Sequence, residues 1–267
     1  MSDILQDRSD DGVLTLTFNR LDKKNALTQA MYATLAQALT DAAGDAAVRV
    51  VVLQGDVTVF SAGNDIADFL ARSQAPAQGE GGAGGVFDAG RPVFTFLRAL
   101  VTFPKPLLAA VCGPAVGIGT TLLLHCDLVY AGDNAAFSLP FVNLGVCPEA
   151  GSSLLLPQLL GAHRAAEALL LGEPFMAEAA LEVGLVNRVL PPTEASAYAQ
   201  AQARKLAAKS QAALLAAKRL LRQTQREAVL ARIDEEAEVF AGLLRGPASQ
   251  EAFNAFLEKR RPDFSGL

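Results

Sequence analysis

Glu149 stands in the segment Leu144-Gly-Val-Cys-Pro-Glu-Ala-Gly-Ser-Ser153, where few other side chains can do acid or base chemistry. Upstream, Ser61-Ala-Gly-Asn-Asp65 and Gly113-Pro-Ala-Val-Gly-Ile-Gly119 are turns whose small residues let backbone amides approach a ligand. The second opens a helix, and the positive end of a helix favours a developing negative charge. One carboxylate beside amide sites for an anion points to moving a proton within a substrate rather than adding water to it. Metal chemistry is not expected: the chain has two histidines, His125 and His163, and Cys112, Cys126 and Cys147 lack paired ligand spacing. The cysteines read as small core residues in a reducing compartment.

The elements that must position Glu149 are legible from periodicity. Val13-Leu-Thr-Leu-Thr-Phe18 alternates as a half-buried strand does, and Arg49-Val-Val-Val-Leu-Gln54 is a continuous apolar strand. Thr28 caps an expected helix that runs to about Ala43 and ends at Gly44, and Asp65 is placed to cap a short helix over Ile66–Ala71. A helix over Pro92–Val101 precedes a buried strand at Leu107–Cys112, and the Gly113–Gly119 turn leads into a helix over Thr120–His125. Further strands are expected at Asp127–Ala131, Ala135–Leu139 and Leu185–Val189. Helices follow over Glu194–Ser210, Ala212–Arg222, Glu227–Leu244 and Ser249–Arg261, with apolar faces at helical spacing. Residues 74–90 shift to Gly, Ala, Gln and Pro and read as a loop. The pattern is that of an α/β core, residues 1–192, followed by a helical region, residues 193–267, with apolar surface that favours oligomerisation.

Composition narrows the function. With 51% hydrophobic residues among 267, the chain can bury a full core, yet no apolar run approaches the length of a bilayer span. The acidic, polar residues 1–12 match neither a secretory signal nor an Arg-rich transit peptide, so the expected compartment is the cytoplasm, with no membrane partner. A net charge of -5 without a basic cluster excludes nucleic acid as the expected partner. Gly117-Ile-Gly119 fails as a dinucleotide fingerprint because Leu122 stands at the third glycine position.

Three segments in order, Phe60–Ile66, Gly113–Gly119 continuing to Asp127, and Phe137–Ser153, resemble the enoyl-CoA hydratase/isomerase (crotonase) superfamily, and the likeness extends through Leu181–Val189. The resemblance implies a crotonase-like spiral of ββα units with a C-terminal helical trimerisation region, assembled as a homotrimer or dimer of trimers and acting on acyl-CoA, with CoA as part of the substrate and no separate cofactor. It maps the oxyanion hole onto the backbone N–H groups of Ala62 and Ile118. It suggests CoA and substrate contacts at Lys24, Ala26, Ala62, Gly63, Asn64, Asp65, Ile118 and Lys259, and an acyl pocket drawing on Phe94 and Phe141.

The chain departs from the hydratase pattern where hydratases carry two glutamates, since Thr121 and Phe141 stand there. Glu149 falls where the peroxisomal-type Δ3-Δ2-enoyl-CoA isomerases carry their catalytic glutamate, and the surrounding segment is similar to that branch. The expected activity is therefore double-bond migration by a single base. Alternatives are hydration or ring isomerisation by the same family, and a non-catalytic acyl-CoA-binding oligomer in which Glu149 only favours a helix start. Apolar neighbours should push the Glu149 pKa up and the helix start should pull it down. Asp68 is the one nearby acid retained as a possible second player.

Overall fold

The computed structural model describes residues 2–67 and 91–267. Asp68 and the whole glycine-rich loop, residues 74–90, lie outside the described residues, and only Ile66 and Ala67 of the expected short helix lie within them. A six-stranded sheet runs in the order β1 (Ile4–Arg8), β2 (Val13–Phe18), β3 (Val50–Gln54), β4 (Leu107–Val111), β6 (Leu128–Gly132), β9 (Arg188–Leu190). All neighbours pair parallel except β1 with β2. A smaller sheet pairs β5 (Pro114–Val116) with β7 (Ala136–Ser138) and β7 with β8 (Phe175–Met176), and a bridge from Ser61 to Ala115 extends it. From β3 to α4 the chain alternates a strand of the large sheet with a short pairing in the small one before turning into a helix, as in the expected ββα spiral.

The helices are α1 (Gln29–Gly44), α2 (Pro92–Thr102), α3 (Ile118–Thr121), α4 (Ser152–Leu160), α5 (Ala162–Ala166), α6 (Ala177–Glu182), α7 (Pro192–Ala207), α8 (Gln211–Leu244) and α9 (Pro247–Leu257). Thr28 caps α1 as expected, its hydroxyl accepting from the Met31 N–H at 3.3 Å. The continuous apolar strands are explained by burial on both faces. In β3, Val51 and Leu53 enter the main core beside Leu16, Phe18 and Ala109, while Val50 and Val52 face a second cluster.

Helix α7 covers that second face with Ala199, Ala203 and Ala207, spaced one turn apart, so that small side chains let the helix lie close on the sheet. From α8 and α9, Val229, Ile233, Leu244 and Phe253 enter the main core. Leu220 and Leu221, in contrast, are 61% and 78% exposed.

Three expectations shift. The polar start of the chain forms β1, an edge strand in which only Ile4 is buried and no alternation announces it. The two helices expected over 212–244 are one, because no glycine or proline interrupts Arg222–Glu227. The Gly113–Gly119 turn contains β5, three residues too short to show a period. No described helix is long and apolar enough to cross a membrane.

Candidate active site

Glu149 lies in the turn between the 3-10 turn Val142–Leu144 and α4. Pro148 and two left-handed residues, Ala150 (φ 63°) and Gly151 (φ 73°), bend the chain sharply there. A left-handed alanine costs on the order of 1 kcal/mol, so its surroundings must hold it. His125 does so from the end of the 3-10 turn after α3, its Nε2 lying 2.8 Å from the Ala150 carbonyl oxygen. Burial pushes the His125 pKa down to about 4, so the ring is neutral and can donate its N–H to that carbonyl. It is a satisfied core histidine and not a base.

The Thr121 hydroxyl donates to Glu149 Oε1 at 2.7 Å. Burial raises the Glu149 pKa first, the Thr121 hydrogen bond lowers it, the negative charge of Glu236 raises it again, and the net value is about 7. Of the two opposed effects anticipated from sequence, desolvation wins. The residue as a whole is half-buried, while its carboxyl group is enclosed by protein. Thr121, standing where a hydratase would carry an acid, instead fixes the single carboxylate. Phe141 is buried, and its ring edge lies 4.0 Å from where a Cβ on Gly117 would sit.

Thr121 belongs to the same short helix as Ile118, three residues and about 4.5 Å of axis apart. That helix begins after Gly117, whose φ of 54° and ψ of -118° only glycine adopts easily. As the first residue of α3, Ile118 has no intrahelical acceptor for its N–H. Against this helix packs the 61–65 turn: a Cβ on Gly63 (φ 89°) would sit 2.9 Å from the Val116 carbonyl oxygen, and one on Gly119 would sit 3.0 Å from that of Ser61. The two glycine turns therefore touch.

One expected donor is corrected. The Ala62 N–H donates to the Lys24 carbonyl at 2.9 Å, so it is occupied. The Gly63 N–H donates to the Ser61 hydroxyl at 3.2 Å. Among the described residues no acceptor meets the N–H of Asn64, which leaves Asn64 as the open amide on this turn. Its side chain is fixed by the Tyr32 hydroxyl, 2.6 Å from Oδ1. Backbone donors carry no side-chain signature, so sequence register alone does not show which amide of the turn is engaged.

The structure brings most of the expected binding residues together. Leu27 bridges to Asn64, and the Leu27 N–H donates to the Gly63 carbonyl at 2.8 Å. Arg20 ties the turn, donating to the Ala26 carbonyl at 2.9 Å and to Asp65 at 2.7 Å. Lys24, left-handed at φ 50°, projects from this turn exposed. Phe94 lies on α2 and packs against the main core. Lys259 is exposed just beyond α9. The described residues do not include a group of three His, Cys, Asp or Glu that could hold a metal.

Glu236 is the site residue that sequence reading missed. It lies in α8, 5% exposed, and accepts from the Gly151 N–H at 2.6 Å and the Ser153 N–H at 2.9 Å. A signal was present: Val229, Ile233, Glu236, Phe240 and Leu244 fall on one helical stripe, and the glutamate is its only charged member. A cavity of about 280 Å³ lined by Phe103, His125, Lys218 and Arg222 includes none of Glu149, Asn64 or Ile118. Its lysine and Arg222 are engaged by Asp127, which also accepts from the Leu107 N–H at 2.9 Å, a structural role for that acid.

A family model described as enoyl-CoA hydratase/isomerase matches residues 8–266. The chain is 38% identical over 266 residues to the 2,3-dehydroadipyl-CoA hydratase of Escherichia coli (strain K12), covering 100% of both. It is 36% identical over 250 residues to enoyl-CoA delta isomerase 2 of Rattus norvegicus, covering 93% of this chain and 61% of that protein. Among solved structures, that of Pseudomonas aeruginosa OdaA matches with a TM-score of 0.89 at 45% identity, over 96% of this chain and 99% of that one.

Proposed function

The chain belongs to the enoyl-CoA hydratase/isomerase (crotonase) family and is an enzyme of acyl-CoA thioesters, and on that premise we propose that it is a Δ3-Δ2-enoyl-CoA isomerase with Glu149 as its single base. The thioester carbonyl of a 3-enoyl-CoA is placed against the N–H groups of Asn64 and Ile118. Glu149 removes a proton from C2, and the negative charge spreads over a dienolate whose oxygen the two amides stabilise. The same carboxyl group then returns the proton to C4, leaving the double bond between C2 and C3. One such donor is typically worth about 3 kcal/mol in the transition state.

The observation that carries this reading is the pairing of Glu149 with Thr121 at 2.7 Å, at the very position where hydration would want a second acid. A pKa of about 7 suits a group that must both accept and return a proton near neutral pH. Purified protein should convert 3-hexenoyl-CoA to 2-hexenoyl-CoA without change of mass, and Glu149→Gln should lower kcat by roughly two to four powers of ten. Gain of water by 2-hexenoyl-CoA without any double-bond migration sinks the assignment. Hydration is the second reading, favoured by the full-length likeness to a 2,3-dehydroadipyl-CoA hydratase; Glu149 alone would then activate the water.

CoA recognition is assigned to the Lys24–Ala26 turn and the Ala62–Asp65 backbone, and the acyl pocket to Phe94 and Phe141. Lys259 fits this scheme as a contact made to a neighbouring subunit. The exposed Leu220, Leu221, Phe256 and Leu257 of the helical region support assembly as a homotrimer or dimer of trimers, in the cytoplasm. Light scattering on the purified protein tests the assembly.

A further inference from the structure

The proposed base stands on a turn that another element holds. The amides of Gly151 and Ser153, just beyond Glu149, both point at Glu236 of α8, and they reach different oxygens, Oε2 at 2.6 Å and Oε1 at 2.9 Å. Burial pushes the Glu236 pKa up, and the two amide hydrogen bonds act the other way by favouring the anion. The same residue reaches the turn a second time, its backbone carbonyl oxygen lying 3.5 Å from Cys147 Sγ. Ile233 and Val229, one and two turns earlier on α8, are buried in the core beside it.

Resting on the assignment of Glu149 as the base, we propose that Glu236 is a positioning residue for the reaction: it clamps the Gly151 and Ser153 amides, fixes where the Glu149 carboxylate points, and sets a second negative charge beside it. The groups around the pair leave that charge partly uncompensated. Thr121 and neutral His125 face it from α3 and the turn after it, and Cys147, whose thiol burial pushes up to about 11, stays protonated. Arg232 of α8 attracts Glu236 but divides itself between the Ser153 hydroxyl at 3.3 Å and Glu235 at 3.1 Å. Charges on the packed helices are paired elsewhere, Arg98 of α2 with Asp234 and Glu251 of α9 with Arg260. The C-terminal helices are therefore part of the machinery of the site.

Two variants separate charge from contact. Glu236→Gln removes the charge and keeps the size, and Glu236→Asp keeps the charge and withdraws it by one methylene. The Glu149 carboxyl is followed by infrared titration, assigned by its loss in Glu149→Gln, and kcat and KM are measured on 3-hexenoyl-CoA. In Glu236→Gln the Glu149 midpoint should fall by on the order of half a pH unit. In Glu236→Asp it should stay in place while kcat drops about tenfold at unchanged KM, the mark of misdirection rather than lost binding.

An unmoved midpoint in the glutamine variant, or an undiminished kcat in folded Glu236→Asp, overturns the proposal. If the glutamine variant does not fold, the aspartate variant alone decides the outcome. The infrared arm needs no turnover, so it still reads the coupling if the isomerase assignment fails.

Discussion

Replacing Thr121 with valine tests the single-base reading through its pH dependence. The substitution keeps the shape of the side chain and removes the hydroxyl that donates to Glu149 Oε1 at 2.7 Å. That hydrogen bond favours the ionised carboxylate, so its loss raises the Glu149 pKa from the wild-type value of about 7. A hydrogen bond to a charged group is worth about 1.5 kcal/mol net, and 1.36 kcal/mol corresponds to one pKa unit, so the midpoint should move up by about one unit. At pH 7 the ionised fraction then falls from about one half to about one tenth, roughly a fivefold loss of kcat/KM. By about pH 9 the loss should be nearly recovered, because the base is ionised in both proteins. The assay is kcat/KM on 3-hexenoyl-CoA across the pH range, whose acid limb reports the free enzyme. An acid limb that stays put, or moves down, refutes the assignment of Thr121 as the group that stabilises ionised Glu149. Glu236→Gln should move the same limb the opposite way, so the two variants check each other in sign.

Glu149→Gln should make the protein more stable above neutral pH while it lowers turnover. The folded pKa of Glu149 lies above its unfolded value of 4.5, so the folded state holds a proton that the unfolded state has released, and stability falls as pH rises from about 4.5 to about 7. The penalty reaches at most about 3 kcal/mol, and thermal melts at pH 8 and pH 4 should show a stabilised variant only at the higher pH. Ile118→Pro removes one amide donor at the first position of α3, where proline is tolerated, and should lower kcat by about two to three powers of ten in protein that still folds; a near wild-type kcat excludes that amide from the oxyanion hole. Gly63→Ala places a Cβ 2.9 Å from the Val116 carbonyl oxygen at a φ of 89°, and should destabilise by roughly 1–3 kcal/mol in denaturant unfolding while prying the two amide turns apart.

What was legible in the sequence followed from local rules. Burial on both faces made β3 and β4 continuous apolar runs, and Thr28 and Gly44 marked the ends of α1 by capping chemistry. Glu149 was singled out by its register in the family pattern, since by residue type alone an acid after Pro148 reads as favouring a helix start. What escaped was non-local. Which amide of the 61–65 turn is open depends on the Lys24 carbonyl, nearly forty residues upstream, that captures the Ala62 N–H. The part played by Glu236 depends on a separation of more than eighty residues, although its place on an apolar stripe announced that something buried had to meet it. β1 escaped for the opposite reason: an edge strand with one buried residue needs no pattern.

The hydrogen bonds around Glu149 distinguish what isomerisation and hydration would each need of this site. Adding water across a double bond calls for a positioned water and, in the hydratase pattern, two acids to hold it. Here one of those positions is Thr121, whose hydroxyl is spent on Glu149 itself, and the other is Phe141, which can hold no proton. Among the described residues the other buried carboxylate beside Glu149 is Glu236, and each of its oxygens already accepts from an amide, Gly151 or Ser153, at the start of α4. Of the four oxygens on the two glutamates, Glu149 Oε2 is thus the one with no partner among the described residues. A single open oxygen on a pivoting carboxylate is what two successive proton transfers to neighbouring carbons require. On the proposed reading, that open oxygen carries one proton from C2 to C4.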